Sequence, residues 1–380
     1  MSLLLQSDYW AQFKAATGWQ SLQPAPPGGV ALARRAGPFM LAYLPHAFGR
    51  ASDQSALAGP APHPSEVSAA REYCAALSND ARSEAGSVAP VVVRWDVPWP
   101  ASEELGRALS AAGFVRSPTR VQPPDTTIVD LRPDEDAILA AMKSKTRYNV
   151  RLGPKRGLEV RCAATSFGDD DFTAAVREFY QLYRQTATRD RITIHPLSYY
   201  LTAFVVARDL ARPQRDLARR QRDAEHAAPP ELLLYQAYHG AEPLAAIVVA
   251  RWSGTATYLY GASSSRHRNL MAPYALQWRA MRDAKTAGYQ DYDLFGIPPT
   301  DDPTHPMHGL YRVKVGFGGR ILHRAGAWDY IAQPFAGRAF RRIEATRQWY
   351  YHGPYKRVAG IGRTLGRLRH RGATSRDDTR

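Results

Sequence analysis

Apolar residues fall along this chain in short, bounded runs that alternate between strand-like and helix-like spacing. Phe39–Leu44 and Val91–Asp96 are β-prone runs bounded by Pro and Gly, and they predict strands. Ser102–Ala112 reads as a helix closed by Gly113. Thr126–Leu131 predicts a strand that runs into a helix opened by Asp134, Glu135 and Asp136 after Pro133. The far end of that helix carries Lys143, Lys145, Arg147 and Arg151 before Pro154 and Gly157 stop it. Both charge signs then complement a helix macrodipole. Leu232–Ala237, Leu244–Trp252 and Thr255–Tyr260 predict a three-strand meander with Ser253-Gly254 as a tight turn. A long helix over Leu270–Ala287, capped by Gly288, leads into a strand over Tyr289–Phe295.

A phrase of helix, Ala-Gly, aromatic residue and strand occurs around Gly113 and again around Gly288, and suggests two weakly similar halves. Residues 21–30 and 51–66, rich in Pro, Gly, Ala and Ser, read as loops, and residues 205–230 as an exposed helix and loop. Phe335, Phe340, Ile343, Trp349 and Tyr350 form a helix-compatible pattern suited to docking on the body of the protein.

With 380 residues, 44% of them hydrophobic, the chain has material for two domains. It lacks a run of about 18 apolar residues, and its first residues lack the basic region of a signal peptide, so the expected location is the cytoplasm. Cys74 and Cys162 offer neither a disulfide framework nor metal-ligand spacing; both are expected to be buried small hydrophobes, and no metal is expected. The net charge is +15, and residues 338–380 hold 12 basic residues against 3 acidic ones. Residues 351–380 read as a basic tail that suits tRNA phosphates, anionic lipid headgroups or an acidic precursor. Ser/His/Asp and Cys/His arrangements with suggestive spacing are absent.

The segment T-T-I-V-D-L … M-K-S-K-T-R-Y-N-V-R … G-L-E-V resembles the junction of the Fem-type peptidoglycan aminoacyltransferases, the FemABX family. Y-L-Y-G-A-S-S … A-P-Y-A-L-Q-W … G-Y-Q-D-Y-D-L-F-G-I and H-G-L-Y-R-V-K-V-G-F-G-G … W-D-Y are similar to consecutive blocks of that family, and together these cover roughly residues 120–330. The resemblance implies an α/β fold of two tandem GNAT-like acyltransferase domains, mixed sheets flanked by helices. The first would cover 1–145, completed by about 318–350, and the second 146–317. It implies transfer of an amino acid from aminoacyl-tRNA to the stem-peptide amine of UDP-MurNAc-pentapeptide or lipid II, without a further cofactor. The charge of the basic tail suits peripheral contact with the inner membrane face.

Carried onto this sequence, the family's aromatic-x-x-Lys block gives Lys314, in Tyr311-Arg312-Val313-Lys314, as the group that stabilises the oxyanion. Val313 stands where the family commonly has Phe. The family's Arg, with Tyr four residues later, falls on His195 and Tyr199, and its Tyr-x-Pro-Lys-Gly turn appears as Tyr43-Leu44-Pro45-His46-Ala47. His195, Tyr199, Tyr260 and His46 are thus the candidate precursor contacts; Lys143, Lys145, Arg147 and Arg151 are candidates for tRNA phosphates. Asp291 and Asp293 alternate with Tyr292 and share a strand face, so that either could accept the amine proton or cap the neighbouring loop, and Asp293 is the preferred acceptor.

Two other readings stand beside this one. A CoA- or carrier-dependent N-acyltransferase shares the fold, although Arg266–Pro273 places Asn269 and Met271 where a pyrophosphate loop wants glycine. A non-catalytic protein that binds RNA or a membrane surface would use the basic tail.

Overall fold

The strands of the second half form because their apolar runs are unbroken enough to be covered on both faces. In Glu231–His239 and Glu242–Trp252, alternate residues Leu233, Tyr235, Ile247 and Val249 enter one core, and Leu232, Leu234, Ala246 and Val248 enter another. Period-2 alternation is therefore hidden in the sequence, as in any strand sandwiched between helices. Each fully buried Leu, Ile or Val contributes roughly 1.5–3 kcal/mol by leaving water.

The computed structural model describes residues 4–22, 29–48, 64–83, 89–164, 169–218 and 229–352. The first half comprises α1 (Asp8–Ala15), β1 (Gln20–Ser21), β2 (Leu32–Ala36), β3 (Phe39–Pro45), α2 (Pro64–Ser83), β4 (Val92–Pro100), α3 (Glu103–Ala111) and β5 (Phe114–Arg116). There follow β6 (Asp125–Asp130), α4 (Glu135–Ala141), α5 (Ser144–Lys155), β7 (Leu158–Ala164), α6 (Asp169–Asp190) and α7 (Leu197–Ala218). The rest is β8 (Glu231–His239), β9 (Glu242–Trp252), β10 (Thr255–Ser263), α8 (Ala272–Thr286), β11 (Asp291–Asp293), α9 (His308–Val315), β12 (Arg320–Tyr330) and α10 (Pro334–His352). Among the described residues no helix is long and apolar enough to cross a membrane.

The strands form one mixed sheet in the order β1-β2-β3-β4-β12-β6-β11-β10-β9-β8-β7, with β5 on β12. β12 joins the two halves: Arg320–His323 pair with β6, and Arg324–Tyr330 pair with β4 across a bulge at Gly326. Each half contains a strand, helix and parallel strand, β3-α2-β4 in the first and β10-α8-β11 in the second. The repeated phrase in the sequence joins unlike elements, because α8 leads to a parallel strand whereas α3 leads to β5, which pairs antiparallel with β12. The counterpart of α8 is α2, which the loop reading of residues 51–66 obscured. The mixed α/β class expected from the sequence is the one observed, with one strand-helix-parallel-strand unit in each half.

Other elements differ from expectation. The acidic-to-basic helix is two helices, because Met142 is extended between α4 and α5. The loop after α9 occupies the break: the Lys143 N–H donates to Gly316 O at 2.9 Å, and Gly318, at φ +81°, presses on the Ala141 carbonyl. The cations therefore begin a helix instead of ending one, and Pro154 lies inside its last turn. α7 begins at Leu197, eight residues before the expected exposed helix, and buries Tyr199, Tyr200, Ala203 and Phe204; within the expected range Val205 and Asp209 are exposed and Ala207 is buried. The strand expected over Tyr289–Phe295 is confined to Asp291–Asp293. Cys74 is buried, but Cys162 is only half-buried. The basic tail lies outside the described residues after His352.

Candidate functional site

The parallel pairing of β10 and β11 is short, and its end opens a wedge in the sheet. Thr255–Thr257 pair with Asp291–Asp293, after which Tyr258–Ser263 pair with β9 alone. The chain beyond β11 follows β6 instead, with Leu294 N–H on Thr127 O at 3.0 Å and Ile297 N–H on Asp125 O at 2.9 Å. Lys314 bridges this wedge from α9. Its Nζ donates to Phe295 O at 2.9 Å and Gly296 O at 2.8 Å, and lies 5.0 Å from the centroid of the Tyr258 ring. Lys314 is a buried helical residue. Burial lowers its amine from 10.5 to about 7, with the Asp293 carboxylate opposing the fall. Two of the three ammonium protons are held by carbonyls, leaving one to point elsewhere.

Asp293 is fixed by its surroundings. Its Oδ1 accepts from Thr126 Oγ1 and, at 2.7 Å, from the Phe295 N–H. The second bond caps the turn at Phe295, whose φ of +54° is rare for a bulky residue. Loop capping and a nearby carboxylate are thus both present, since Oδ2 accepts no hydrogen bond among the described residues. Asp291 is buried beside Arg320 and Arg132, away from the lysine, and burial raises its carboxyl.

From Lys314 a wall of tyrosines leads to the other end of the cleft. Tyr183 lies near Tyr258 and 6.5 Å from Tyr260, which in turn meets Tyr200 at 5.2 Å. The Tyr260 hydroxyl lies beside that of Tyr199, and Lys14 Nζ donates to Tyr199 at 3.0 Å. His195 stacks on the Tyr199 ring at 3.8 Å. His195, Tyr199 and Tyr260 are thus brought together. Lys14 and Arg34, which sequence reasoning missed, join them from the first half; their charges and burial hold the His195 imidazole below 6.5, burial being the larger cause. Only the tertiary fold places α1 against α7. Val313 packs against the core, and the aromatic ring nearest Lys314 Nζ among the described contacts is that of Tyr258.

His46 is not part of that cluster. It is buried at φ +56°, and burial together with the Arg324 guanidinium holds its imidazole well below 6.5, so it brings no positive charge to the position where the family has lysine. Arg324 is itself buried on β12, near Asp293, Asp125 and Asp96, and its Nε and Nη1 have no hydrogen-bond partner among the described residues. Burial and the Tyr43 hydrogen bond act oppositely on Asp96, whose carboxyl rises to about 6.

The cations of α5 divide. Arg147 is folded back, its Nη1 donating to Leu139 O, Ala140 O and Met142 O at 3.0–3.2 Å, so it satisfies the end of α4 and is not free for a phosphate. Lys143, Lys145 and Arg151 are exposed, with no ion pair among the described residues. Tyr148, 60% exposed, stands three residues from Lys145 and from Arg151 on the same face. The start of α5 meets the end of α9 at Gly316, two residues past Lys314, so the basic face adjoins the lysine. On the far side, Arg266 and His267 of the loop before α8 pair with Glu242 at 3.0 and 3.6 Å, and His267 and Met271 hold left-handed φ without being glycine.

Lipid II:glycine glycyltransferase of Staphylococcus saprophyticus is 32% identical over 74 residues, and that of Staphylococcus haemolyticus is 31% identical over 74 residues. Each alignment covers 20% of this chain and 18% of the relative, so the chain matches about a fifth of the length of these curated proteins. Among solved structures, one described as FemX superposes with a TM-score of 0.66 at 18% identity, covering 89% of this chain and 94% of the other. The C-terminal domain of a putative lysylphosphatidylglycerol synthetase from Agrobacterium fabrum gives 0.53 at 13% identity over 91% and 93%. The profile of the FemAB family matches residues 103–205 and 211–344, which take in the wedge, the tyrosine wall and the basic helix, and the chain belongs to that family.

Proposed function

We propose that the protein transfers an amino acid from the ester of an aminoacyl-tRNA to the stem-peptide amine of a peptidoglycan precursor, lipid II or UDP-MurNAc-pentapeptide, acting from the cytoplasmic side. The observation that carries this reading is Lys314, a buried amine of lowered basicity fixed at the mouth of a wedge in the sheet. The precursor amine loses a proton, taken by Asp293 Oδ2, and attacks the ester carbonyl to form a C–N bond. The oxyanion of the tetrahedral intermediate receives the third N–H of the Lys314 ammonium. Collapse breaks the C–O bond, and the proton left on nitrogen goes to the departing ribose oxygen. One such preorganised donor is worth about 10²–10³ in rate.

Substrate placement follows the charges. Lys143, Lys145 and Arg151 face the tRNA acceptor stem, and Tyr148 offers a ring for an unpaired base at its end. At the opposite end of the tyrosine wall, Lys14 and Arg34 supply the cationic contact with the precursor diphosphate. His195 adds a stacked ring there. The paired and non-glycine loop before α8 favours this donor over CoA, whose pyrophosphate needs bare backbone N–H groups. The family's relatives that act on lipid II support a lipid-linked acceptor here.

The test is transfer of labelled amino acids from a charged total-tRNA pool to UDP-MurNAc-pentapeptide and to lipid II, with acetyl-CoA in parallel. Label entering a precursor only from tRNA, and lost on Lys314→Met, supports the proposal. Label entering only from acetyl-CoA overturns it.

A further inference from the structure

α10 ends the described chain with one face buried and the other exposed. Phe340 packs with Leu41, Val91 and Val92, Gly337 sits close on the Val91 carbonyl, and Glu344 reaches Arg94, so one side is docked on the first half of the sheet. On a helix of 3.6 residues per turn, Phe335, Ile343, Trp349 and Tyr350 project within an arc of about 120° on the other side. Phe335 is 87% exposed and Trp349 66% exposed, values that leave these large side chains without cover among the described residues. Arg342 lies inside the arc, and Arg338 and Arg347 flank it on either edge; Arg338 also lies over the Phe335 ring at 5.5 Å. In sequence the helix is followed by eight more Lys and Arg residues against two Asp.

We propose that this outer face of α10 is a docking surface for an anionic lipid bilayer, with Phe335, Ile343, Trp349 and Tyr350 inserted at the headgroup boundary and the arginines on the phosphates. An aromatic and aliphatic face rimmed by arginine matches an interfacial helix, which lies in the membrane plane with its apolar side down. An RNA surface would use the same arginines but gains nothing from an exposed Ile343. Basic residues beyond the helix add attraction to anionic lipid, at about 1 kcal/mol each near the surface. The inference rests on the proposed function only in its use, since a lipid-linked acceptor is presented at such a surface; the binding itself needs no catalysis.

The experiment is flotation of the full chain with vesicles of phosphatidylglycerol and phosphatidylcholine, against vesicles of phosphatidylcholine alone. Wild type should float with the anionic vesicles and be weakened by salt. The double variant Phe335→Ser, Trp349→Ser, which removes apolar surface without adding charge, should lose at least about tenfold in vesicle affinity. Its melting temperature should hold, because both side chains are exposed. It should also retain transfer to the soluble UDP-linked acceptor while losing transfer to acceptor embedded in vesicles. Equal flotation of wild type and the double variant overturns the proposal. So does a variant that floats normally but binds tRNA more weakly, which would make the face an RNA surface. Absence of any transfer alongside normal flotation would sink the enzymatic reading and leave the docking surface standing.

Discussion

Lys314→Met separates what the lysine costs the fold from what it does in the wedge. Burial, the larger influence, lowers its amine from 10.5 to about 7 against the opposing Asp293 carboxylate. In the unfolded chain the same amine keeps its proton to about pH 10.4. Between pH 7 and 10.5 the unfolded chain therefore binds a proton that the folded chain has released, so stability rises with pH through that window and is lowest below 7. At 1.36 kcal/mol for each tenfold change in proton affinity, the whole span is worth about 5 kcal/mol. Met preserves the apolar stem and removes the charge, but strips the Phe295 and Gly296 carbonyls of their donor, at about 2 kcal/mol for the pair, the low end because both residues are half-buried. Below pH 7 the variant should thus be the more stable protein by about 3 kcal/mol. Near pH 10 the order should reverse, because the wild-type amine is then neutral and still bonded. Urea unfolding of both proteins from pH 6 to pH 10 measures this, with other titrations cancelling in the difference. Parallel stability curves over that range would refute the argument. The same substitution should cut turnover by about 10²–10³, so the stabler protein at neutral pH should be the poorer catalyst.

Asp293→Asn removes the charge that holds the Lys314 amine up, so the high-pH limb of kcat/KM should move to lower pH; an unmoved limb would detach the two residues. Lys145→Glu with Arg151→Glu should weaken tRNA binding and flatten its salt dependence at unchanged melting temperature, whereas Arg147→Ala should lower the melting temperature by uncapping α4, with tRNA affinity little altered. Gly318→Ala should cost more than about 1 kcal/mol in denaturant unfolding, because the backbone is left-handed there and a Cβ would strike the Ala141 carbonyl. Arg94→Met leaves the buried Asp329 with Arg341 at 3.0 Å as its remaining partner and frees Glu344 of α10, so about 3 kcal/mol of stability should be lost, the low end for a broken buried pair.

Legibility in the sequence followed the range of the interactions involved. The meander β8–β10 and helix α8 were readable because apolar run length, a Ser-Gly turn and a Gly cap are local signals. The break at Met142 was not, since the residues on either side of it are acceptable in a helix and the wedge that forces it, Gly316–Gly318, lies more than 170 positions downstream. The spacing of glycines in Val315-Gly316-Phe317-Gly318-Gly319 was the one local hint, because three glycines beside a buried Phe mark a close approach of backbones. Resemblance to the family gave Lys314, His195 and Tyr199, which the fold brings to one cleft; it also gave His46, and the charge pattern gave Arg147, and the fold spends these two on other duties. His46 lies buried beside a guanidinium and Arg147 caps a helix, and neither fate shows in a motif. Lys14 and Arg34 were out of reach altogether, because nothing local to α1 or β2 says that they will face residue 195.

The wedge explains why a buried lysine is held here with one N–H left over. A parallel pair that continued past Asp293 would give the Phe295 and Gly296 carbonyls strand partners, and a buried amine would have no place to bond. Splaying leaves those two carbonyls unsatisfied by the sheet, and Lys314 is the donor that repairs them. Two bonds orient Nζ and one proton remains, while burial brings the loss of that proton close to neutral pH. The instability that the amine imposes on the fold and the oxyanion contact proposed for it consequently have one origin, set by how far the strands part. Filling the wedge should therefore remove both together. Tyr258→Trp, which enlarges the ring over Nζ, should return the amine toward exclusion from the cleft and lower turnover with no loss of tRNA binding; retained turnover would show that the opening is not where transfer occurs.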